Sequence, residues 1–179
     1  MNKTCVVVLG RFSPVHLGHA NIFQLARSFC NSTMNTEMKI FMSTSLDDEK
    51  NFLPIEQKLQ MIHDCFPEYY QYCYSMPDNS LFATMTSLDS EYDNITLLCG
   101  SDRYMHFKNV LEKYNGTLYN FRELKVLDMG NREVSPYSST AMKNAVLCGD
   151  FYTFSACLGG TKFDQKYYQI LAEYMGVTV

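Results

Sequence analysis

Two histidines separated by two residues stand where a buried strand gives way to a helix. Residues 6–9 are wholly apolar and mostly β-branched, and Gly10 ends this run. His16 and His19 then flank Gly18 at the start of a stretch with helical periodicity. The first turn of a helix carries unpaired backbone N–H groups and a partial positive charge, so it favours a bound anion. A histidine N–H directed at a phosphate oxygen would bind more tightly as negative charge develops in a transition state, which indicates phosphate chemistry here.

A second group of polar residues follows another predicted strand. Gly100, Asp102 and Arg103 come directly after the apolar run 95–99, at the start of a helical pattern. Asp102 could cap that helix, and Arg103 could extend from it toward a ligand. An ordinary turn and helix cap explains the same residues equally well. Their position favours a part in ligand binding, because parallel sheets bind ligands at the carboxyl ends of their strands.

A third group combines hydroxyl side chains with a lysine. Ser138, Ser139 and Thr140 precede an apolar helical run, and Lys143 follows within the first turns. Hydroxyls and free backbone N–H groups that converge at a helix start can hold phosphate. Taken alone, such a Ser-Ser-Thr sequence is most often only a helix cap. The order of all three groups along one chain favours phosphate binding.

Alternating strands and helices must position these groups. Strands are predicted at 6–9, 38–43, 71–75, 95–99 and 124–129, with helices at 18–29, 55–66, 81–92, 103–114 and from 138 to the end. This order predicts an α/β, Rossmann-like, mostly parallel five-stranded sheet with helices on both faces and a helical C-terminus. We expect a single domain over 1–179, with an α/β core at 1–135 and a helical segment at 136–179.

Composition and charge limit the range of partners. The chain has 179 residues, 46% of them apolar, and a net charge of −4, which gives no general attraction to nucleic acid or to an anionic membrane. Its seven cysteines form no C-x-x-C pair, and no histidine lies at zinc-ligand spacing, so we expect reduced thiols and no protein metal site. No signal-peptide pattern and no apolar run of about 18 residues is present, which predicts a cytoplasmic protein.

The three groups carry a resemblance to a known superfamily. The segment G-R-F-S-P-V-H-L-G-H at 10–19 resembles the first signature of the nucleotidyltransferases with the H-x-G-H motif. These include nicotinamide mononucleotide, pantetheine-phosphate and FMN adenylyltransferases and the small cytidylyltransferases, and the G-R-F-x-P opening is most similar to the first of them. S-S-T-A-M-K at 138–143 resembles the second signature, I-S-S-T-x-I-R, with Tyr137 at a usually aliphatic position and Lys143 in place of arginine. Segments 97–116 and 149–154 are similar to nucleotidyltransferase-like proteins of tailed bacteriophages.

The resemblance implies a role for each matching residue. The implied catalytic residues are His16, His19 and Lys143. The implied nucleotide-binding residues are Gly10, Arg11, Phe12, Gly18, Gly100, Asp102, Arg103, Ser138, Ser139 and Thr140. Segment 50–58 also resembles a family segment in which a cation approaches phosphate, although a solvated surface loop is an equal alternative for Lys50 and Lys58.

The implied reaction is transfer of AMP from ATP to a small phosphorylated acceptor, with release of pyrophosphate. Nicotinamide mononucleotide, which would give NAD, is the first choice of acceptor, and Mg²⁺ is expected to bind through the nucleotide phosphates rather than a protein cage. We expect no nucleic-acid or membrane partner and leave a homo-oligomer open. A phage-encoded chain would act in the host cytoplasm.

Three other functions compete with this prediction. Cytidylyl transfer to a small phosphorylated alcohol is the alternative within the same class, and CTP tested against ATP distinguishes them. A catalytically inactive nucleotide-binding module with a regulatory or structural role would explain Tyr137 and Lys143, but the presence of both histidines argues against it. A fragment of a class I aminoacyl-tRNA synthetase shares H-x-G-H, yet the chain lacks K-M-S-K-S and a basic surface for tRNA.

Overall fold

Five parallel strands form one sheet, as the sequence predicts. The computed structural model describes residues 2–47, 49–130 and 136–178. Within them the strands are β1 (Thr4–Gly10), β2 (Thr36–Met42), β3 (Cys73–Ser75), β4 (Asn94–Cys99) and β5 (Glu123–Asp128). They lie in the order β3-β2-β1-β4-β5, and every neighbouring pair is parallel. The direction of strand addition reverses between β1 and β4, and ligands bind beside such a reversal at the carboxyl ends of the strands.

Among the described residues, five helices lie in the connections between these strands, and three more follow β5. They are α1 (Leu17–Ser32), α2 (Ile55–Cys65), α3 (Pro67–Tyr70), α4 (Leu81–Asp89), α5 (Ser101–Tyr114), α6 (Ser139–Leu147), α7 (Phe151–Leu158) and α8 (Asp164–Tyr174). A 3₁₀ turn spans Pro77–Asn79. Across the described part of the chain, none of the helices has the length and apolar character needed to cross a membrane.

The central strand β1 separates two apolar cores, because successive side chains of a strand point to opposite faces. Val6 and Val8 pack into one core, together with buried residues of α1, α2, α6, α7 and α8. Cys5 and Val7 pack into the other core, against α4 and α5. The predicted helices on both faces of the sheet are therefore confirmed.

The C-terminal segment is helical from residue 139 to residue 174, as expected, and it is divided into three separate helices. Asp150 caps α7 by accepting a hydrogen bond from the backbone N–H of Thr153 at 3.0 Å. Gly149 and Gly159 have φ angles of 71° and 89°, a left-handed backbone that glycine adopts without strain and that ends helices. The two breaks let α6, α7 and α8 fold back on one another and cover one face of the sheet.

A buried carboxylate joins α2 to α8. Asp64 accepts hydrogen bonds from Lys166 Nζ at 2.7 Å and from Tyr167 Oη at 2.8 Å, and its side chain is 8% exposed. Burial by itself would raise the pKa of Asp64, but these bonds and those from His63 and Gln60 outweigh it and lower the pKa well below its usual value. The charged form of this carboxyl therefore stabilises the contact between the two helices.

We expect Asp64→Asn to lower the free energy of unfolding by about 1–3 kcal/mol at pH 7, because charge-assisted hydrogen bonds are lost. The folded-state pKa lies below the unfolded value, so this contribution is present above the unfolded pKa of about 4 and is lost as the pH falls toward the folded pKa. Urea unfolding at pH 7, 5 and 3 should show a difference in free energy of unfolding between wild type and variant that narrows as the pH falls. The control Glu112→Gln, at an exposed position of α5, should change the free energy of unfolding little at any pH. A difference that stays constant down to pH 3 would contradict the role of the charge.

Candidate active site

A cleft of about 470 Å³ lies at the carboxyl edge of the sheet, where five separate segments of the described chain meet. The segments are the β1–α1 loop with the first turns of α1, the loop after β2, the start of α5, the segment after β5 and the start of α6. We call it the triphosphate cleft, after the ligand that the resemblance implies. Most of the predicted site residues line it: Gly10, Arg11, Phe12, His16, Gly18, His19, Asp102, Ser138, Ser139, Thr140 and Lys143. Groups far apart in the sequence are thus brought together by the fold.

The two histidines lie together at the start of α1. His16 is the residue that precedes the helix, and its carbonyl accepts from the backbone N–H groups of His19 at 2.9 Å and Ala20 at 3.2 Å. The centres of the two imidazole rings are 3.7 Å apart. Their exposed fractions are 7% for His16 and 8% for His19, so only a small part of each ring faces the cleft. A phosphate at this helix start would meet both rings and the helix dipole together.

Phe12 supports the histidine pair from behind. Its backbone is left-handed, with a φ of 49°, and its buried ring contacts His19 edge-on at 4.9 Å between ring centres. The same ring packs on Phe23 at 5.4 Å and covers Gly10, where a Cβ atom would lie 2.5 Å from it. Although Phe12 lines the cleft as predicted, its ring is 3% exposed, and its contacts are those of a packing residue.

Gly18 allows two parts of the site to approach each other. A Cβ atom there would lie 3.0 Å from the His16 ring and 3.0 Å from the carbonyl oxygen of Tyr137, which precedes α6. The resemblance implies that Gly18 binds the nucleotide, and Gly18 does line the cleft. Protein atoms also lie close beside it, so Gly18 sets the distance between α1 and the start of α6.

The start of α6 is both a capped helix and a wall of the cleft. Ser138 Oγ accepts from the backbone N–H of Ala141 at 3.0 Å, so the helix-cap interpretation of this serine is correct. Ser139 Oγ donates to the carbonyl of Pro14 at 2.9 Å and joins α6 to the β1–α1 loop. Thr140 is exposed at the cleft surface. Thr140 is thus the exposed residue of this wall, while the hydrogen bonds of the two serines hold the wall in place.

Lys143 lies half-buried one turn into α6. Its Nζ donates to the carbonyl oxygen of Glu49 at 2.7 Å, in the loop that follows β2. Burial, followed by the nearby positive charge of Arg11, lowers the pKa of Lys143. Lys50 of the same loop also lines the cleft. Three cationic side chains therefore surround one concave site, which is an electrostatic setting for an anion.

Two predicted residues lie elsewhere. Arg103 lines an adjoining cleft of about 320 Å³ that shares Gly10, Arg11 and Asp102 with the first. Gly100 is buried as the residue preceding α5, and it is among the lining residues of neither cleft. The helix start turns Asp102 toward the shared wall and places Arg103 on the far side of it.

The adjoining cleft, which we call the acceptor cleft after the role proposed for it below, contains residues that the sequence did not indicate. Asn79 Oδ1 accepts from Ser43 Oγ at 2.8 Å and from the backbone N–H of Thr44 at 2.9 Å, which fixes the orientation of its amide. The remaining lining residues are apolar: Leu9, Met76, Leu81 and Phe107. Ser43 directly follows β2, so the rule that ligands bind at carboxyl strand ends could have found it. Asn79 has a φ of 49° at the end of a short Pro-Asp-Asn turn, and these residue types are typical of turns. The sequence could thus have predicted the turn, but not that the amide would line a cleft.

The sequence-based prediction also did not include several residues that line the triphosphate cleft. Asn21, Ile22 and Leu25 lie three, four and seven residues after Gly18, so they share one face of α1. Met129 and Gly130 line the same cleft from the segment that follows β5. In the described ranges, 2–47, 49–130 and 136–178, no cluster of three or more His, Cys, Asp or Glu side chains could hold a metal ion.

Comparisons with known proteins cover nearly the whole chain. A family model described as cytidylyltransferase-like matches residues 7–145, and a search of curated protein sequences finds no significant match. A putative nicotinate-nucleotide adenylyltransferase from Vibrio parahaemolyticus is similar in structure, with 16% identity, coverage of 94% of this chain and 98% of that one, and a TM-score of 0.58. Plasmodium falciparum nicotinic acid mononucleotide adenylyltransferase, solved in complex with NaAD, has 12% identity, coverage of 96% and 97%, and a TM-score of 0.58.

These two structures share the fold of the chain. The family match spans β1 through most of α6, and it therefore includes both the histidine pair and the Ser-Ser-Thr helix start. The chain belongs to the cytidylyltransferase-like family, within the nucleotidyltransferase superfamily that its H-x-G-H motif predicts.

Proposed function

We propose that the protein transfers AMP from ATP to the phosphate of a pyridine mononucleotide, with nicotinamide mononucleotide as the first choice, and releases pyrophosphate. The observation that carries the proposal is the joined pair of clefts. One cleft combines two helix starts, two histidines and a set of cations, and the other shares Arg11 and Asp102 with it. A triphosphate and a phosphorylated acceptor could thus meet at the shared wall.

In this reaction a phosphate oxygen of the acceptor attacks the α-phosphorus of ATP. A new P–O bond forms there, the bond from the α-phosphorus to the bridging oxygen breaks, and pyrophosphate leaves with the electron pair. The acceptor phosphate is anionic at neutral pH, so the reaction requires no protein nucleophile and depends on positioning and charge stabilisation. Mg²⁺, bound through the phosphate oxygens, would neutralise part of the triphosphate charge.

Each side of the cleft then has a separate task. His16 and His19, at the start of α1, donate hydrogen bonds to the α-phosphate as its charge increases. Thr140, Lys143 and the first turn of α6 bind the departing pyrophosphate. Arg11 lies on the wall between the clefts, where it can hold the acceptor phosphate close to the α-phosphorus.

The acceptor cleft supports a flat, partly polar acceptor. Its apolar side chains include Phe107, whose ring could contact a pyridine ring, and its polar side includes the fixed amide of Asn79 and the cation Arg103. The names of the two similar structures refer to nicotinate nucleotides, so nicotinate mononucleotide is the closest competing acceptor. The family description supports CTP as the competing nucleotide donor.

A pyrophosphate-release assay tests the proposal. Purified protein is incubated with Mg²⁺, ATP and nicotinamide mononucleotide, and released pyrophosphate is measured with coupled pyrophosphatase, with product formation followed by chromatography. Parallel reactions replace the acceptor by nicotinate mononucleotide, replace ATP by CTP with a phosphorylated alcohol, or omit the acceptor. Pyrophosphate that requires both ATP and a pyridine mononucleotide supports the proposal.

Other outcomes point to other functions. Turnover only with CTP would show that CTP, and not ATP, is the nucleotide donor. Release of phosphate from ATP without an acceptor would indicate an NTPase. Binding of ATP without turnover under any condition would support an inactive nucleotide-binding module.

Lys143→Ala is expected to raise the KM for ATP by about tenfold, because a phosphate-binding cation is lost. Lys143→Arg should preserve or improve ATP use, since a guanidinium keeps the charge and can bind phosphate with two hydrogen bonds. Steady-state kinetics on both variants measure the KM for ATP, and Lys113→Ala, at an exposed position of α5, is the matched control. An unchanged KM in Lys143→Ala would remove this lysine from the site.

A further inference from the structure

One lysine is fully buried beside the two clefts and lines neither of them. Lys58 lies on α2, and none of its side chain is exposed. Its Nζ donates to the carbonyl oxygen of Ser43 at 2.9 Å and to the Oδ1 atom of Asn51. This position corrects the expectation that Lys58 could belong to a solvated loop. Burial of a lysine is costly unless its N–H groups find partners, so the two acceptors and the lysine hold each other in place.

Lys58 keeps its charge at neutral pH. Burial lowers its pKa to about 8, with the neighbouring Asp47 opposing the shift and Arg11 adding to it. The ammonium group therefore remains protonated at pH 7 and can donate to both acceptors. Charge-assisted hydrogen bonds of this kind are stronger than neutral ones.

Asn51 carries the effect of the lysine across the loop that joins β2 to α2. Its side chain is fully buried, and its Nδ2 donates to Ser43 Oγ at 3.1 Å and to the carbonyl of Ser45. Asp47 closes the same loop by accepting from the backbone N–H groups of Glu49 and Asn51, both at 3.0 Å. Lys58 and Asn51 thus form the buried anchor of a loop in which residues 44–47, 49 and 50 are exposed.

This loop contributes groups to both clefts. On the triphosphate side, Lys50 lines the cleft and the carbonyl of Glu49 accepts from Lys143. On the acceptor side, Ser43 lines the cleft and donates to Asn79. The loop also contacts the β1–α1 segment, because the backbone N–H of Leu53 donates to Ser13 Oγ at 3.1 Å. A shift of the loop would move cationic and polar groups at both clefts together.

We propose that Lys58 is a positioning residue, which through Ser43 and Asn51 fixes loop 43–53 so that the two clefts keep their relative geometry. The expected effect of Lys58 on ATP binding rests on the proposed function, whereas its expected effect on the loop does not. A lysine that merely fills space in the core would leave the loop in place when it is removed. Removal of a positioning lysine would release the loop from its place.

Hydrogen exchange measured by mass spectrometry separates these two roles without any need for turnover. Lys58→Met keeps the length of the side chain and removes its N–H donors. We expect peptides covering 43–53 to exchange about tenfold faster or more in this variant, because the buried anchor is lost. Met61→Ala is the matched control, since it removes a fully buried side chain from the same helix without touching the loop anchor. It should lower the melting temperature and leave exchange of 43–53 unchanged.

ATP binding measured by calorimetry provides the functional readout. We expect the Kd for ATP to rise about tenfold in Lys58→Met, with little change in Met61→Ala, because Lys50 and the partner of Lys143 have moved. Lys58→Arg, which retains charged donors, should restore much of the loop protection and affinity. If Lys58→Met does not fold, Asn51→Ala cuts the same link from its other end and is judged by the same two measurements.

The outcomes are distinct. Unchanged exchange of 43–53 in a folded Lys58→Met protein overturns the proposal, and so does faster exchange with an unchanged ATP affinity. A wild-type protein that binds no ATP would refute the proposed function, while the exchange result would still decide whether Lys58 holds the loop.

Discussion

Replacement of His19 by alanine is expected to lower kcat by about 10²- to 10³-fold, or roughly 3–4 kcal/mol, while the Kd for ATP changes far less. His19 lies at the first turn of α1 with its ring against His16 and its exposed edge in the triphosphate cleft. In the proposed reaction, a donor at this position would meet the α-phosphate, where charge increases in the transition state. Its hydrogen bond therefore contributes more to the rate than to ground-state binding.

Thermal denaturation and kinetics on the same preparation distinguish catalysis from packing. His19 also contacts the ring of Phe12, so some loss of stability is expected in His19→Ala. His106→Ala, at an exposed position on α5, is the matched control and should change neither quantity. His19→Asn should recover part of the rate, because an amide can still donate a hydrogen bond. A large drop in melting temperature with near-normal kcat would contradict the catalytic assignment.

The architecture could be predicted from sequence because local patterns and global topology agree. The apolar run of β1 is long enough and β-branched enough to identify a strand covered on both faces, and the following helix shows a clear periodicity. Once the strands are known to be parallel, their carboxyl ends must share one edge. That edge brings together His19, Asp102 and Thr140, which are far apart along the chain.

The detailed roles within the site could not be predicted in the same way. The left-handed backbone of Phe12 directs a large ring beneath the histidines, and no local pattern indicates that a phenylalanine will adopt it. The burial of Lys58 depends on Asn51 and on the carbonyl of Ser43, partners that only the folded loop supplies. Sequence patterns indicate which residue types can do chemistry, but tertiary contacts decide which of them support others.

The fold also explains why the two clefts adjoin. Strand addition reverses between β1 and β4, so the loops after these strands diverge and leave a crevice between them. Gly10 ends β1, Arg11 follows it, Asp102 lies in the first turn of α5 after β4, and all three line both clefts. The wall between the clefts is therefore formed by residues at the carboxyl ends of β1 and β4, the two strands between which the direction of strand addition reverses. This geometry suits a reaction that joins two phosphates.

Gly18→Ala is expected to lower kcat/KM by about 10- to 100-fold, because small displacements of catalytic groups are costly. The added Cβ would lie 3.0 Å from the His16 ring and from the backbone carbonyl of Tyr137. The ring cannot move easily, since it already lies 3.7 Å from the ring of His19, and the carbonyl belongs to the segment that leads into α6. Relief of the contact must therefore displace the histidine pair, the start of α6 or both.

Stability and activity should change independently in this variant. Alanine gains roughly 0.5–1 kcal/mol over glycine within a helix, which offsets part of the steric cost, so the melting temperature should stay close to that of the wild type. Asn31→Ala, at an exposed position of the same helix, provides a control for helix propensity alone and should keep full activity. Normal kcat/KM in Gly18→Ala would show that the spacing between the histidines and α6 is not critical for the reaction. A loss of activity at unchanged melting temperature would identify that spacing as a requirement of the active site.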